Sequence, residues 1–135
     1  MFSNNESLNS LCSSAVAARD FAYAPYSKFA VGAAVLSADN KIFSAGNIEN
    51  ASYGLTICAE RAAIFCAIAA GCDKLIALAV ATTGGIYPCG ACRQVFAEFA
   101  TDDAAILIID VETGNITSTS LGEILPNSFR MDTQK

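Results

Sequence analysis

Two apolar runs, residues 75–81 and 104–111, restrict the fold more than any other feature of this chain. Neither alternates apolar with polar as a half-buried strand does, so both read as strands covered on each face. A loop carrying Gly84, Gly85 and Pro88 follows the first, and residues 89–100 then read as a helix. Two strands joined through a helix pair in parallel by a right-handed crossover. Gly114 and Asn115 leave too short a turn for another crossover, so residues 116–120 are expected to run antiparallel to 104–111.

The remaining segments complete the layers. Leu8, Leu11, Cys12, Ala15 and Ala22 fall near one helical face, predicting an amphipathic helix over 6–22 that Pro25 stops. Residues 29–36 and 41–45 read as strands flanking the turn chemistry of Ala38, Asp39 and Asn40. Residues 58–70 are Ala-rich and helical, closed by Gly71 as the C′ residue, and 121–125 make a final helical turn. The order α-β-β-α-β-α-β-β argues an α/β fold: a three-layer α-β-α sandwich with a mixed five-stranded sheet. No repeat or linker interrupts it, so residues 1–135 are expected to form a single domain.

Composition narrows the function. Hydrophobic residues make up 53% of the chain, yet no apolar run reaches the roughly 18–20 residues of a membrane span. No membrane partner is expected, and burial between subunits is the natural outlet for the excess. The net charge is −5 and the eight basic residues are scattered, which disfavours nucleic acid and suits a small neutral ligand. The polar, acidic first ten residues do not read as a signal peptide, pointing to the cytoplasm. There, six cysteines are ligands, nucleophiles or core residues rather than disulfides.

Two clusters carry chemistry: Cys58-Ala59-Glu60 and Pro88-Cys89-Gly90-Ala91-Cys92. Each opens a predicted helix, where unpaired N–H groups and the macrodipole favour thiolates. Two such ends together can hold Cys58, Cys89 and Cys92 on one tetrahedral Zn²⁺ with a fourth position open, the arrangement of catalytic zinc. Zinc lowers the pKa of water towards about 7. Glu60, two residues from a ligand, is placed to move protons without binding the metal. The chain has no histidine, so of the zinc deaminase signatures only the three-cysteine one is open to it. Arg61 can offset the excess charge of three thiolates. Taken singly, Cys89 and Cys92 also read as a thioredoxin-like redox pair, and Cys58 as a small buried hydrophobe. Cys12, Cys66 and Cys72 read as buried thiols.

With these motifs the chain resembles the homotetrameric zinc-dependent cytidine deaminases. The likeness begins at Pro25-Tyr26-Ser27-Lys28-Phe29 and Val31-Gly32-Ala33-Ala34, and continues through Asn47-Ile48-Glu49-Asn50-Ala51-Ser52-Tyr53-Gly54. It includes Cys58-Ala59-Glu60-Arg61 and Pro88-Cys89-Gly90-Ala91-Cys92-Arg93-Gln94, and ends at Gly122-Glu123, Leu125-Pro126 and Phe129. Tyr87 departs from the small or hydroxylated residue common in the family, and Cys66 from a common polar one.

The resemblance implies one zinc per subunit on Cys58, Cys89 and Cys92, with Glu60 as the catalytic proton shuttle and Arg61 neutralising the thiolates. It implies that Asn47 and Glu49 bond the ribose hydroxyl, Phe29 packs on the base, and the backbone of Ala59 reads the pyrimidine edge. Ala51, Tyr53 and Phe129 would line or close a pocket shared between subunits, while Gln94 supports. The implied activity is hydrolytic deamination of cytidine and deoxycytidine, a cyclic amidine C–N hydrolysis serving pyrimidine salvage. A same-fold deaminase of another aminopyrimidine nucleoside, such as blasticidin S, is the nearest alternative.

Overall fold

In the computed structural model, which describes residues 5–131, five strands form one sheet in the order β2-β1-β3-β4-β5. Part of the polar N-terminal segment read above, residues 1–4, lies outside that range. The strands are β1 (Gly32–Ser37), β2 (Ile42–Gly46), β3 (Leu75–Thr82), β4 (Ala105–Asp110) and β5 (Ile116–Ser120). β3 and β4 pair in parallel and the other three pairs are antiparallel, giving the expected mixed sheet.

Side-chain alternation divides the strands between two cores. Ala33, Val35, Leu78, Val80, Ile106 and Ile108 pack with α2 (Ala59–Ala69) and α3 (Gly90–Phe99). Ala34, Leu36, Ala77, Ala79, Ala81, Leu107 and Ile109 pack with Leu11 and Ala15 of α1 (Asn5–Ala18). This double burial is why 75–81 and 104–111 carry no polar alternation.

The α1 face of β3 is alanine at every second position, which lets the helix backbone come close. Gly32 completes that approach: a Cβ there would lie 2.0 Å from the Ala15 carbonyl oxygen and 2.6 Å from the Arg19 nitrogen.

Helix ends follow local chemistry. After α2, Gly71 takes φ 89° and a Schellman pair closes the helix, Gly71 N–H to the Ile68 carbonyl and Cys72 N–H to that of Ala67, both 2.9 Å. The short α4 (Leu121–Ile124) starts in a capping box between Ser120 and Glu123, with Leu121 buried in the core.

Three expectations need correction. α1 ends at Ala18, and a 3₁₀ turn covers Arg19–Phe21, because the chain must turn for Tyr23 N–H to reach the Asn47 carbonyl at 2.8 Å. β1 begins at Gly32 rather than Phe29. The Asn47 side chain replaces a strand partner for 29–31, accepting from Val31 N–H and donating to the Phe29 carbonyl, each at 3.0 Å. Cys66 is exposed, because on α2 it is Ala63 and Ala67 that face the sheet, while Cys12 and Cys72 are half-buried at the edges of the two cores.

Gly32→Ala should destabilise the fold by about 1–3 kcal/mol, since backbone atoms of α1 must retreat. A thermal melt lowered by several degrees is the expected reading.

Candidate active site

α2 and α3 both start on a cysteine. Cys58 and Cys89 are the N-cap residues, and Cys92 lies in the first turn of α3. The crossover from β3 brings α3 beside α2, so sulfurs 31 residues apart in sequence, those of Cys58 and Cys89, stand 4.0 Å apart. Cys89 and Cys92 are 3.5 Å apart, and all three sulfurs lie within 4.8 Å of one another. Arg93 steadies this corner by donating to the carbonyls of Pro88 and Ile124, both at 2.7 Å.

The cluster is electrostatically uneven. The hydrogen bond from Cys92, and then those from Arg61, bring the Cys58 thiol down to about 5, while Cys92, the donor and itself buried, is pushed up. Arg61 approaches Cys58 Sγ at 3.3 Å, and that bond raises its own pKa. Its Nε is buried without a hydrogen-bond partner among the described residues. Three convergent sulfurs, one already far towards thiolate, with a guanidinium holding an unspent donor beside them, fit zinc. Hard cations such as Mg²⁺ and Ca²⁺ prefer oxygen ligands.

Glu60 sits in the first turn of α2, buried beside the thiols. Burial pushes its carboxyl up to about 7; the Cys58 charge adds to this, while its own backbone N–H and Arg61 oppose it.

Cys58, Cys89 and Glu60 line a cavity of about 290 Å³ together with Phe29, Asn47, Glu49, Tyr53 and Ala59. Asn47 and Glu49 are both buried. Each side-chain atom of the Asn47 amide is engaged once, by 29–31, leaving one N–H and one lone pair for another partner. The Glu49 carboxylate accepts from Tyr26 N–H at 2.9 Å, Ser27 N–H at 3.1 Å and the Ser27 hydroxyl; these bonds, the hydroxyl's first, hold its pKa below the usual range.

Phe29 lines the cavity and is 40% exposed, its placement depending on Lys28 at φ 62°. A left-handed lysine is strained and persists only where its surroundings hold it.

Ala51 and Phe129 are not brought to this cavity within one chain. Ala51 is exposed, and Phe129 is 70% exposed with its carbonyl accepting from Gln94 Nε2 at 2.8 Å.

Other lining residues had no role read from the sequence: Ser27, Thr56, Thr82 and Ile86 among them. Tyr87, noted only as a departure, also lines it. Thr82 ends β3 and Ile86 and Tyr87 follow it, at the carboxyl edge where parallel sheets gather ligands, a signal available once β3 and β4 are read as parallel.

Three thiols converging at two helix starts, beside a buried acid on the same cavity, are the parts that a metal-dependent hydrolase needs. Comparison with known proteins specifies which. Residues 5–108 match the model of the cytidine and deoxycytidylate deaminase zinc-binding region. A cytidine deaminase of Halalkalibacterium halodurans is 46% identical over 121 residues, covering 88% of this chain and 91% of that protein. One of Mycobacterium tuberculosis is 41% identical over 126 residues, covering 92% and 90%. The crystal structure of cytidine deaminase from Burkholderia pseudomallei superposes with a TM-score of 0.84 at 46% identity, covering 90% of this chain and 98% of that one. The chain belongs to the cytidine and deoxycytidylate deaminase family, whose zinc-binding region it carries.

Protein purified without chelator should hold a single zinc ion per chain by metal analysis. Cys92→Ser, which alters the most buried of the three sulfurs, should lose most of it.

Proposed function

We propose that this chain hydrolyses cytidine and deoxycytidine to uridine and deoxyuridine, releasing ammonia, and that residues 1–135 act as one domain. The observation that carries this reading is a single cavity lined by Cys58, Cys89, Glu60, Phe29, Asn47 and Glu49. Two of the three metal-binding sulfurs, an acid, an aromatic ring and polar groups able to bond a sugar thus share one surface. The similar proteins of H. halodurans and M. tuberculosis are named as cytidine deaminases, which supports the same substrate class.

Zinc on Cys58, Cys89 and Cys92 supplies the acidity that makes water a nucleophile near neutral pH. Glu60 moves the protons. Its carboxylate takes the one released as water adds to C4 of the pyrimidine and delivers it to N3. It then takes the proton of the new C4 hydroxyl and passes it to the amino group, which leaves as ammonia as the C4 carbonyl forms. Burial keeps bulk water from competing for these transfers. Arg61 offsets the negative sulfurs, Phe29 packs on the base, and the backbone of Ala59 reads the pyrimidine edge. Asn47 and Glu49 take the sugar hydroxyl with the acceptor and donor positions that their own supports leave open.

The site is completed by neighbours in a homotetramer. Exposed Ala51, Tyr53 and Phe129 are the residues that the family resemblance assigns to a shared pocket, and Phe21 and Leu55 add apolar surface, 83% and 72% exposed. Cytoplasmic salvage of pyrimidines is the setting, consistent with six free cysteines that a reducing compartment maintains.

Purified protein should release ammonia from cytidine and lose that activity when zinc is stripped. Glu60→Gln should retain zinc while turnover falls by about 10²–10⁴-fold. Zinc without cytidine turnover would redirect the reading to blasticidin-like substrates. Sedimentation at micromolar concentration should show a four-chain species; a 14.0 kDa species alone would overturn the shared site.

A further inference from the structure

The Ser27 hydroxyl stands between two groups of the proposed site. It donates to Glu49 Oε2 and accepts from the Phe29 N–H at 3.0 Å. The directions are forced. A backbone N–H only donates and an ionised carboxylate only accepts, so the hydroxyl must spend its single proton on Glu49 and a lone pair on Phe29.

Counting acceptor positions sharpens the consequence. A carboxylate offers about four. Tyr26 N–H and Ser27 N–H occupy both on Oε1, and the Ser27 hydroxyl takes one on Oε2. What remains is on Oε2, and Glu49 faces the cavity. The exposed Tyr53 hydroxyl also bears on this carboxylate, more weakly than the Ser27 hydroxyl, and is the contact that an arriving donor would share or displace. The carboxylate is thereby held in one rotational setting, with Oε2 the oxygen that meets a donor from the cavity.

We infer that Ser27 is a positioning residue for sugar recognition: its hydroxyl orients the Glu49 carboxylate toward a substrate hydroxyl and ties that orientation to the turn carrying Phe29. The inference rests on the reading of Glu49 as a sugar contact. Lys28, at φ 62° between Ser27 and Phe29, makes the turn that lets one hydroxyl reach both partners. Ser27 is itself exposed, so its substitution removes hydrogen bonds without opening the core. Its neighbours Tyr26 and Lys28 are exposed as well, and neither side chain substitutes for the hydroxyl in the bonds to Glu49.

The test compares cytidine with 2′,3′-dideoxycytidine, which lacks the sugar hydroxyls that Glu49 would bind. The wild-type ratio of kcat/KM between them should exceed unity. Ser27→Ala should lower that ratio by about three- to tenfold, the size of one hydrogen bond, through a raised KM for cytidine. Ser27→Thr, which keeps a hydroxyl, should restore it. Zinc content and thermal melting of both variants show that the centre and fold are intact. Equal ratios in wild type and Ser27→Ala would overturn the role of Ser27 while leaving the sugar contact standing. A wild-type enzyme that turns over cytidine without distinguishing the two nucleosides would overturn the sugar contact and this inference together. A general structural role for Ser27 would lower kcat/KM for both nucleosides in proportion and leave the ratio unchanged, which also overturns it.

Discussion

Three thiol sulfurs held within 4.8 Å of one another are an arrangement that a protein chain does not adopt cheaply. Ionised together they repel, and they come from two helices rather than one loop. The fold answers both difficulties with the same device. Both helices begin at the cluster, so two sets of unpaired N–H groups and two dipole ends favour negative charge there. Arg61, one turn from Cys58, adds a full positive charge at 3.3 Å. The sheet sets the positions: β3 delivers α3 through the parallel crossover to β4, while the loop after β2 delivers α2 to the same side.

The same burial that shapes the cluster shapes the acid beside it. Glu60 sits at the N-terminal end of a helix, where a carboxylate is ordinarily favoured. Its surroundings are apolar enough, and Cys58 close enough, to reverse that preference. Glu49, also buried, goes the other way, because three donors from the 26–27 turn meet its carboxylate. Two acids on one cavity therefore hold different states near neutral pH. One is poised to exchange a proton and the other is committed to accepting hydrogen bonds. The difference lies in what surrounds each carboxyl, since the side chains are the same.

The element order and the parallel pairing were legible because they depend on patterns within short windows. Unbroken apolar runs at 75–81 and 104–111 mean burial on both faces, and a helix between them means a crossover. The boundaries that failed were those decided by distant partners. Residues 29–31 look like strand but are held by the Asn47 side chain, which imitates a neighbouring strand from 16 to 18 positions away. Arg19 ends up bonded to the Ala30 carbonyl and Thr83, contacts that no periodicity announces. Ser27 was visible within a motif, yet its link to Glu49 spans 22 residues and exists only after folding.

By itself the sequence determined the chemistry available: three cysteines at two helix starts, an acid two residues from one of them, and no histidine to offer another ligand set. It also determined that an α/β sandwich would carry them, since hydrophobic patterning acts locally and repeats with the period of each element. Tertiary structure alone decided which groups meet. It joined Cys58 to Cys89, set Glu60 and Glu49 on one cavity in opposite environments, and left Ala51 and Phe129 facing outward. The reason is that distances and desolvation are properties of packed surfaces. They arise when residues far apart in the chain are pressed together, and no local pattern encodes them.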